Sequence, residues 1–527
     1  MSDFRRDRRD FIVRGGLLVA ATACHASTPG ILRARRPALA DRPLLEQGIA
    51  FGDVLGDRAI VWARSDRSAR LQVEWDTSER FDNPRRLTGP YALEDTDFTA
   101  RLDLTQLPPD QRIFVRVAFQ SLNNDRALSE PVVGSFLSAP SERSDIRFVW
   151  TGDTAGQGFG INPDIGGMRG YETMRLREPH FFIHCGDTIY ADGAIPAELT
   201  VEEGKIWRNI VTPEKSKVAE TLDEFRGNYR YNLLDENVRR FNAQVPQIWQ
   251  WDDHEVTNNY SDSKDLSTND AYSEKNVPLL AARGQRAFLE YAPLRRHSDA
   301  ESQRLYRHIP YGPLLDVFVI DMRSYRGPNT TNLQAEPNEE TVFLGRPQLQ
   351  WLKDGLRSSR ATWKVIAADM PIGLLVKDGT DAEGRDKFEG IANGNGPVAG
   401  RELEIAQLLR FIKQQGIRNT VWLTADVHYT AAHFYDPSRA QFTDFDPFWE
   451  FVAGPINAGT FGPGETDDTF GQQVVFNKFP PAANYSPLAG LQFFGEVNIA
   501  AEDETLTVTL RDIDNNALFT QTLPPAR

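Results

Sequence analysis

Four stretches of the sequence end an apolar run with side chains that donate an oxygen or an imidazole nitrogen. They are residues 148–153, 181–190, 245–255 and 421–429. One such ending is common, because Gly-Asp after a strand is often only a turn or a helix cap. Four in one chain predict a shared site. Aspartate, histidine and tyrosine together are the donors that hold metal cations while leaving positions open for a substrate.

The donor side chains are Asp153 in the first stretch, Asp187 and Tyr190 in the second, Asp253 and His254 in the third, and Asp426 and His428 in the fourth. The apolar runs before them have the length and composition of buried strands. In open α/β sheets ligands bind at the carboxyl ends of strands. We therefore expect these side chains to meet at one edge of a sheet.

The elements that must carry these residues alternate between strand and helix patterns. Strands are predicted at 146–151, 180–185, 245–251, 315–321, 362–368 and 419–425, and helices at 168–178, 219–241, 275–292, 346–358 and 401–415. This rhythm is typical of a layered α/β domain. The tail, 493–522, changes to strands, and we expect it to form a second sheet over the first. Long loops at 256–274, 326–341, 376–400 and 455–488 are candidate site walls.

The segment before this domain has a different pattern. Short runs of alternating apolar and polar residues, separated by Gly, Pro, Asp and Asn, fill residues 45–139. Period-two alternation at this spacing predicts a small antiparallel β-sandwich of the immunoglobulin or fibronectin type III kind. A polar, proline-containing hinge follows at 138–144. We place the domains at 41–140 and 141–527, with a packing or positioning role for the first.

Residues 1–40 have the pattern of an export signal. Arg8 and Arg9 form a twin-arginine motif, a short apolar run follows at 15–23, and Ala38-Leu-Ala40 is a small-residue cleavage site. The apolar run is too short to span a bilayer as a stable anchor. The pattern predicts export through the twin-arginine machinery to the periplasm or the medium. The alternative is a basic N-terminus without a targeting role.

The charge balance limits the partners. The formal net charge of −15 argues against nucleic acid or an anionic membrane surface as a ligand. An acidic protein that binds anions needs a local cation, which again favours metal. Cys185 is the one cysteine after the export signal, so no intramolecular disulfide is expected, and its place in an apolar run predicts a core position.

The motifs resemble those of the metallophosphoesterases, and specifically the alkaline phosphatases of the PhoD type. The resemblance rests on Gly186-Asp-Thr-Ile-Tyr190, Trp251-Asp-Asp-His-Glu255, Asp321-Met-Arg-Ser-Tyr-Arg326 and Asp426-Val-His428, in the order of that family. It implies a four-layer α/β/β/α metallophosphoesterase domain preceded by an immunoglobulin- or fibronectin-III-like β-sandwich. It also implies phosphate esters as substrates.

The resemblance implies a role for each donor. Asp187 would bridge two metals, Tyr190 would bind Fe³⁺, Asp426 and His428 would complete the iron site, and Asp253 would bind Ca²⁺. The family has a cysteine at the first strand end, where this chain has Asp153. A carboxylate there accepts iron, manganese, magnesium or calcium more evenly, so Mn²⁺ or Mg²⁺ can replace either ion. Few histidines lie in the motifs, which disfavours a di-zinc site.

The implied mechanism needs no covalent enzyme intermediate. A hydroxide activated by the metals would attack phosphorus in line, while the cations neutralise charge on the phosphoryl oxygens. His254 would stabilise the transition state or protonate the leaving oxygen. Arg326, with Arg323 as a second candidate, would clamp a phosphoryl oxygen.

Other residues near the motifs have structural interpretations. We expect Asp252 and Glu255 to orient or cap rather than to ligate, and Asp321 either to orient Arg323 or to close a turn. Asn258 and Asn259 are either metal ligands through their amide oxygens or loop residues. The remaining histidines in strands and loops are interpreted as structural: His180, His184, His297, His308 and His433.

Two other functions remain open from the sequence. One is a phospholipase-type or other diester hydrolase, because the resemblance does not fix the ester. The other is a non-catalytic exported binding protein in which the metals are structural. The presence of His254 beside Asp253 argues against the second, since a purely structural metal site does not need it.

Overall fold

The structure is a computed structural model that describes residues 39–526. The first strands are β1 (Ile49–Leu55), β2 (Arg58–Arg64), β3 (Ala69–Asp76), β4 (Arg85–Ala92), β5 (Thr99–Leu104), β6 (Arg112–Ser121) and β7 (Val132–Leu137). In β3 fully buried positions alternate with half-buried ones, as the period-two pattern predicts. The expected N-terminal β-sandwich is confirmed.

The next elements are β8 (Ile146–Thr151), α1 (Arg169–Arg175), β9 (Phe181–Cys185), β10 (Glu198–Thr200), β11 (Ile206–Arg208), α2 (Leu222–Asn232), α3 (Glu236–Asn242), β12 (Gln247–Gln250), α4 (Val277–Tyr291), β13 (Arg307–Pro310), β14 (Leu315–Val319), α5 (Arg346–Ser358) and β15 (Trp363–Ala367). The helix expected at 219–241 is two helices, because Asp235 caps α3 by accepting from the backbone of Asn237 and Val238.

The remaining elements are β16 (Leu374–Leu375), β17 (Lys377–Thr380), β18 (Asp386–Phe388), α6 (Glu402–Gln414), β19 (Thr420–Thr424), β20 (Thr430–Tyr435), β21 (Phe448–Val452), β22 (Glu465–Thr466), β23 (Gln472–Lys478), β24 (Phe493–Ile499), β25 (Leu506–Asp512) and β26 (Ala517–Leu523). Between residues 39 and 526, no helix combines the length and the apolar character needed to cross a membrane.

Two large sheets form the centre of the described chain. One has the strand order β26-β25-β24-β8-β9-β12-β1-β2-β5, and the other has the order β13-β14-β15-β19-β21-β20-β23. Strands β8, β9 and β12 run parallel, as do β14, β15, β19 and β21. Parallel neighbours bring their carboxyl ends to the same edge, so the motifs that follow β8, β9, β12 and β19 are placed together.

Alternate residues of these strands face different layers. Phe148, Ile183, Val365 and Leu423 pack in the core between the two sheets. Val149 and Phe182 point the other way, into a core with residues of α1 to α4. Ile366 and Trp422 pack against α5 and α6. The arrangement is the four-layer α/β/β/α architecture predicted from the motifs.

The first sheet also includes strands from both ends of the chain. β1 pairs in parallel with β12, with Gly52 opposite Gln247, and a Cβ on Gly52 would lie 2.1 Å from the carbonyl oxygen of Pro293. β24 pairs antiparallel with β8. The prediction that the tail forms a second sheet was therefore wrong. The tail instead covers the edge of β8, whose backbone would otherwise lack a partner.

Candidate metal centre

The strand-end loops hold their donor residues in an unusual backbone conformation. Asp153, Asp187, Asp426 and His428 have φ angles of 67°, 53°, 65° and 58°. Residues other than glycine rarely adopt this left-handed backbone conformation. Where they do, they concentrate at functional sites, and the surrounding fold enforces the conformation. The fold therefore maintains these conformations at the ends of three different strands.

Close packing behind the loops requires glycine at two positions. Gly186 has a φ of 91°, and a Cβ built on it would lie 2.4 Å from Cβ of Asp252. A Cβ on Gly454 would lie 2.2 Å from Oδ2 of Asp153. Only glycine allows these loops to approach each other, and the approach is what brings the carboxylates together.

The donor atoms form three overlapping groups, in each of which the atoms lie within 4.8 Å of one another. The groups are Asp153, Asp187 and His428; Asp187, Asp253 and His254; and Asp252, Asp253 and Asp426. Asp187 belongs to two groups. The phenolic oxygen of Tyr190 lies 2.7 Å from Nε2 of His428. The structure thus places all six of the side chains expected to bind metal in one pocket.

The carboxylates of this pocket have the properties of metal ligands. Both oxygens of Asp153 and one oxygen each of Asp187, Asp252 and Asp253 are buried without a hydrogen-bond partner in the part of the chain that the structure describes. Burial, followed by the charges of Asp253 and Glu255, raises the pKa of Asp153 to about 8, and burial raises that of Asp187 well above its usual range. Unpaired buried carboxylates are costly. Hard cations would satisfy them, and carboxylate, phenol and imidazole donors fit such cations.

His254 is held by a carboxylate that sequence reasoning missed. Its Nδ1 lies 2.8 Å from one oxygen of Asp192 and 2.9 Å from the other, and its ring packs 4.2 Å from that of Tyr190. Burial alone would lower the pKa of His254, but Asp192, Asp253 and Asp187 outweigh it and raise the pKa well above the usual value. Its other ring nitrogen, Nε2, lies 4.0 Å from Asp253.

Glu255 joins two of the loops. Its carboxylate accepts hydrogen bonds from the backbone nitrogens of Asp252 at 2.6 Å, Thr188 at 2.5 Å, Asp187 at 3.2 Å and Ile189 at 3.3 Å. It also accepts from the hydroxyl of Thr188. Glu255 thereby fixes the backbone on both sides of the candidate ligands.

The two candidate arginines are both buried. Arg323 contacts Asp252, Glu389 and Asp369 and lies 3.7 Å from Asp426. The guanidinium of Arg326 donates to Asn329 and to the carbonyl of Glu389, and it lies 5.1 Å over the ring of Phe343. Its Nε and Nη1 have no hydrogen-bond partner between residues 39 and 526. Its contacts among the described residues include none of the pocket carboxylates, so its role as a phosphate clamp stays a prediction.

The remaining residues of interest have clear partners. Asp321 accepts from the indole of Trp251 and from the backbone of Arg323 and Ser324, as a turn-closing residue does. Asn259 contributes its backbone nitrogen to Asp253. Asn258 donates its backbone nitrogen to Asp192 at 2.6 Å. Cys185 is buried between the sheets.

Comparisons with known proteins give one consistent result. A family model described as PhoD-like phosphatase matches residues 148–510, and one described as its N-terminal domain matches residues 32–140. The alkaline phosphatase D of Bacillus subtilis (strain 168) is 27% identical over 443 residues, which cover 80% of this chain and 71% of that protein.

Solved structures share the fold. One titled "Structure of PhoD" has a TM-score of 0.66 at 21% identity and covers 93% of this chain and 90% of that one. The purple acid phosphatase PPD1 from yellow lupin (Lupinus luteus) seeds has a TM-score of 0.57 at 13% identity, with coverage of 92% and 74%.

Proposed function

Because the chain belongs to the PhoD-like phosphatase family and is a hydrolase of phosphoric esters, we propose that it is an exported enzyme that depends on two metal ions. The observation that carries the proposal is the position of Asp187. This carboxylate belongs to two overlapping groups, one with Asp153 and His428 and one with Asp253 and His254, as a ligand that bridges two cations must.

The two groups would hold different ions. Asp153, Asp187, His428 and the adjacent phenol of Tyr190 form the set suited to Fe³⁺. Asp252, Asp253 and Asp426 form an all-carboxylate group suited to Ca²⁺, and Asp253 also lies in a group with Asp187. Asp426 lies in a group with Asp253 and not with His428, so we assign it to the calcium side. Mn²⁺ or Mg²⁺ would fit the same oxygen donors.

Bound cations would supply water activation and would neutralise charge on the phosphoryl oxygens. The protein supplies the proton chemistry and the positioning. With Nδ1 held by Asp192, a protonated His254 would offer the proton on Nε2 to the leaving oxygen of the ester. Glu255 holds the loop of Asp187 against the loop of Asp252, so the donors keep their separation.

Hydrolysis of a chromogenic phosphomonoester and a chromogenic phosphodiester at alkaline pH tests the metal dependence. Both rates are compared between the untreated protein, protein treated with a chelator, and chelated protein reloaded with single metals. Elemental analysis gives the metal content of each sample. Loss of activity on chelation and recovery with metal are the expected results. Activity that survives complete removal of metal would refute the proposal, and the ratio of the two rates identifies the preferred ester.

Export is tested separately. Replacement of the pair Arg8→Lys and Arg9→Lys should keep the protein in the cytoplasm, because the twin-arginine pathway reads these two side chains. The control is a pair of the same replacements at Arg35 and Arg36, which lie outside the motif. Export of the first variant at the normal level would contradict the assignment of this pathway.

A further inference from the structure

A second cavity collects positive charge away from the carboxylates of the metal centre. It has a volume of about 260 Å³ and opens between β1 and the segment that joins α4 to β13. Its charged or titratable wall residues are Asp53, Arg295, Arg296, His297, Arg304, Arg307 and His308. The chain as a whole has a net charge of −15. Four of these residues are arginines, and although Asp103 and Glu301 pair with two of them, Arg296 adds a cation that can attract an anion.

The one carboxylate in the wall is already satisfied. Asp53 is fully buried, and its oxygens accept from the backbone nitrogen of Arg295 at 2.7 Å and from the guanidinium of Arg307 at 2.9 and 3.0 Å. Arg295 is also held by Asp103 at 2.9 Å. These pairs fix two guanidinium groups as a rigid wall, so the cavity does not depend on mobile side chains.

Two other arginines have capacity left for a ligand. Arg296 is exposed. Among residues 39–526 its side chain forms no hydrogen bond, ion pair or ring contact. Arg304 lies 4.0 Å over the ring of Tyr306. Its Nε donates to the carbonyl of Tyr306 and its Nη1 contacts Glu301 and His297, so among the contacts of the described residues its Nη2 is the nitrogen left for a ligand. Burial, and then the charge of Arg296, lowers the pKa of nearby Arg101 to about 9. Arg296 is thus close enough to the buried guanidinium of Arg101 for the two cations to repel each other.

The cavity shares one wall residue, Arg304, with a neighbouring groove. This groove has a volume of about 560 Å³, and its wall includes Trp251 and Tyr260. Trp251 directly precedes Asp252 and Asp253 in the chain. A ligand in this groove would therefore contact Arg304 from the side that faces Trp251 and Tyr260.

We propose that this cavity, which we call the arginine pocket, is a second anion-binding site that takes a phosphoryl group. The planar fork of a guanidinium matches two oxygens of a phosphate, and arginine is the residue best suited to such recognition. The phosphoryl group comes either from free orthophosphate or from a second phosphate on a substrate held at the metal centre. The site does not require the metals, so it goes beyond the proposed function.

Calorimetric titration of the metal-loaded, full-length protein with orthophosphate tests the site. We expect two classes of binding, one at the metals and one in the arginine pocket. Arg296→Glu should weaken the second class at least tenfold and leave the first unchanged, because one charge-assisted pair is removed and a repulsive charge is introduced. The matched control is Arg80→Glu, which changes an exposed arginine in the N-terminal sandwich. Equal phosphate stoichiometry and affinity in the wild type and Arg296→Glu would overturn the proposal.

Kinetics distinguishes the two sources of the phosphoryl group. If the substrate supplies it, Arg296→Glu raises KM for an ester that carries a second phosphate and leaves KM for p-nitrophenyl phosphate unchanged. If orthophosphate supplies it, neither KM changes and only the calorimetric class is lost. A rise in both KM values would place the effect at the metal centre and reject the pocket. If hydrolysis proved independent of metal, Arg296→Glu would still lose the second class of phosphate binding. The proposal of metal dependence and the proposal of the arginine pocket can therefore fail separately.

Discussion

Asp192 and His254 lie 2.8 Å apart, and the carboxylate contacts the ring nitrogen that faces away from Asp253. The same carboxylate also accepts the backbone N–H of Asn258, so it is fixed by the loop that follows the candidate ligand. An imidazole held in this way has one orientation, with Nε2 on the side of Asp253. Asp192 acts through His254 and is a positioning residue.

Asp192→Asn should therefore lower kcat while KM and metal content stay close to wild type. The amide preserves the hydrogen bond from Asn258 but removes the negative charge that keeps His254 protonated. We expect a fall of about tenfold or more in kcat, within the range attributed to general acid catalysis. The alkaline limb of the pH profile should also move to lower pH, because the pKa of His254 falls.

The matched control for this variant is Asp125→Asn, an exposed carboxylate in the N-terminal sandwich. A merely structural role for Asp192 would lower stability and leave the shape of the pH profile of kcat unchanged. That result would reject the positioning role.

Metal stoichiometry separates the bridging ligand from a terminal one. Asp187→Asn should reduce both metals, because this carboxylate belongs to both groups, whereas Tyr190→Phe should reduce only the ion near Asp153 and His428. Elemental analysis of each purified variant gives the ratio. Retention of two full equivalents of metal in Asp187→Asn would show that Asp187 does not bridge.

The sequence was sufficient to predict the strands and the layers. The hydrophobic runs before Asp153, Asp187 and Asp426 are local patterns, and each is a strand within about two residues of the expected bounds. Parallel strands end at the same edge of a sheet. The donors that follow them could therefore be predicted from the sequence to lie together.

Contacts between distant loops could not be predicted in this way. Asp192 lies in a loop without hydrophobic periodicity, and its partner His254 is 62 positions away. The carboxylates of Asp369 and Glu389, which surround Arg323, follow no strand-end motif. The tail was misplaced for a similar reason, since alternation predicts strands but not which edge they join.

The pH dependence of stability should depend on Glu402, a buried carboxylate at the start of α6. Burial, followed by the charge of Asp467, raises the pKa of Glu402 from 4.5 to about 8. Between these values the folded state keeps a proton that the unfolded state releases, so the free energy of unfolding falls as pH rises from about 4.5 to 8. Glu402→Gln should remove this slope and raise Tm by several degrees at pH 8.

Thermal unfolding of the two proteins at pH 5 and pH 8 checks this prediction. Glu236→Gln, at an exposed carboxylate of α3, serves as the control and should follow the wild type at both pH values. Parallel Tm curves for the wild type and Glu402→Gln would contradict the expected linkage.

Gly186→Ala should lower the free energy of unfolding by more than the strain of its positive φ alone, and it should also reduce metal binding. The new Cβ would lie 2.4 Å from Cβ of Asp252, a contact that two rigid loops cannot relieve without moving the adjacent Asp187. Gly384→Ala is the matched control, because Gly384 also has a positive φ, 78°, but has nothing within 4 Å of its added Cβ. A left-handed alanine costs about 1–2 kcal/mol in either place.

Denaturant unfolding should show that cost for Gly384→Ala and a larger one for Gly186→Ala. Loss of bound metal is expected for Gly186→Ala only. Equal destabilisation with full metal content in both would mean that the approach of the two loops does not set the positions of the ligands.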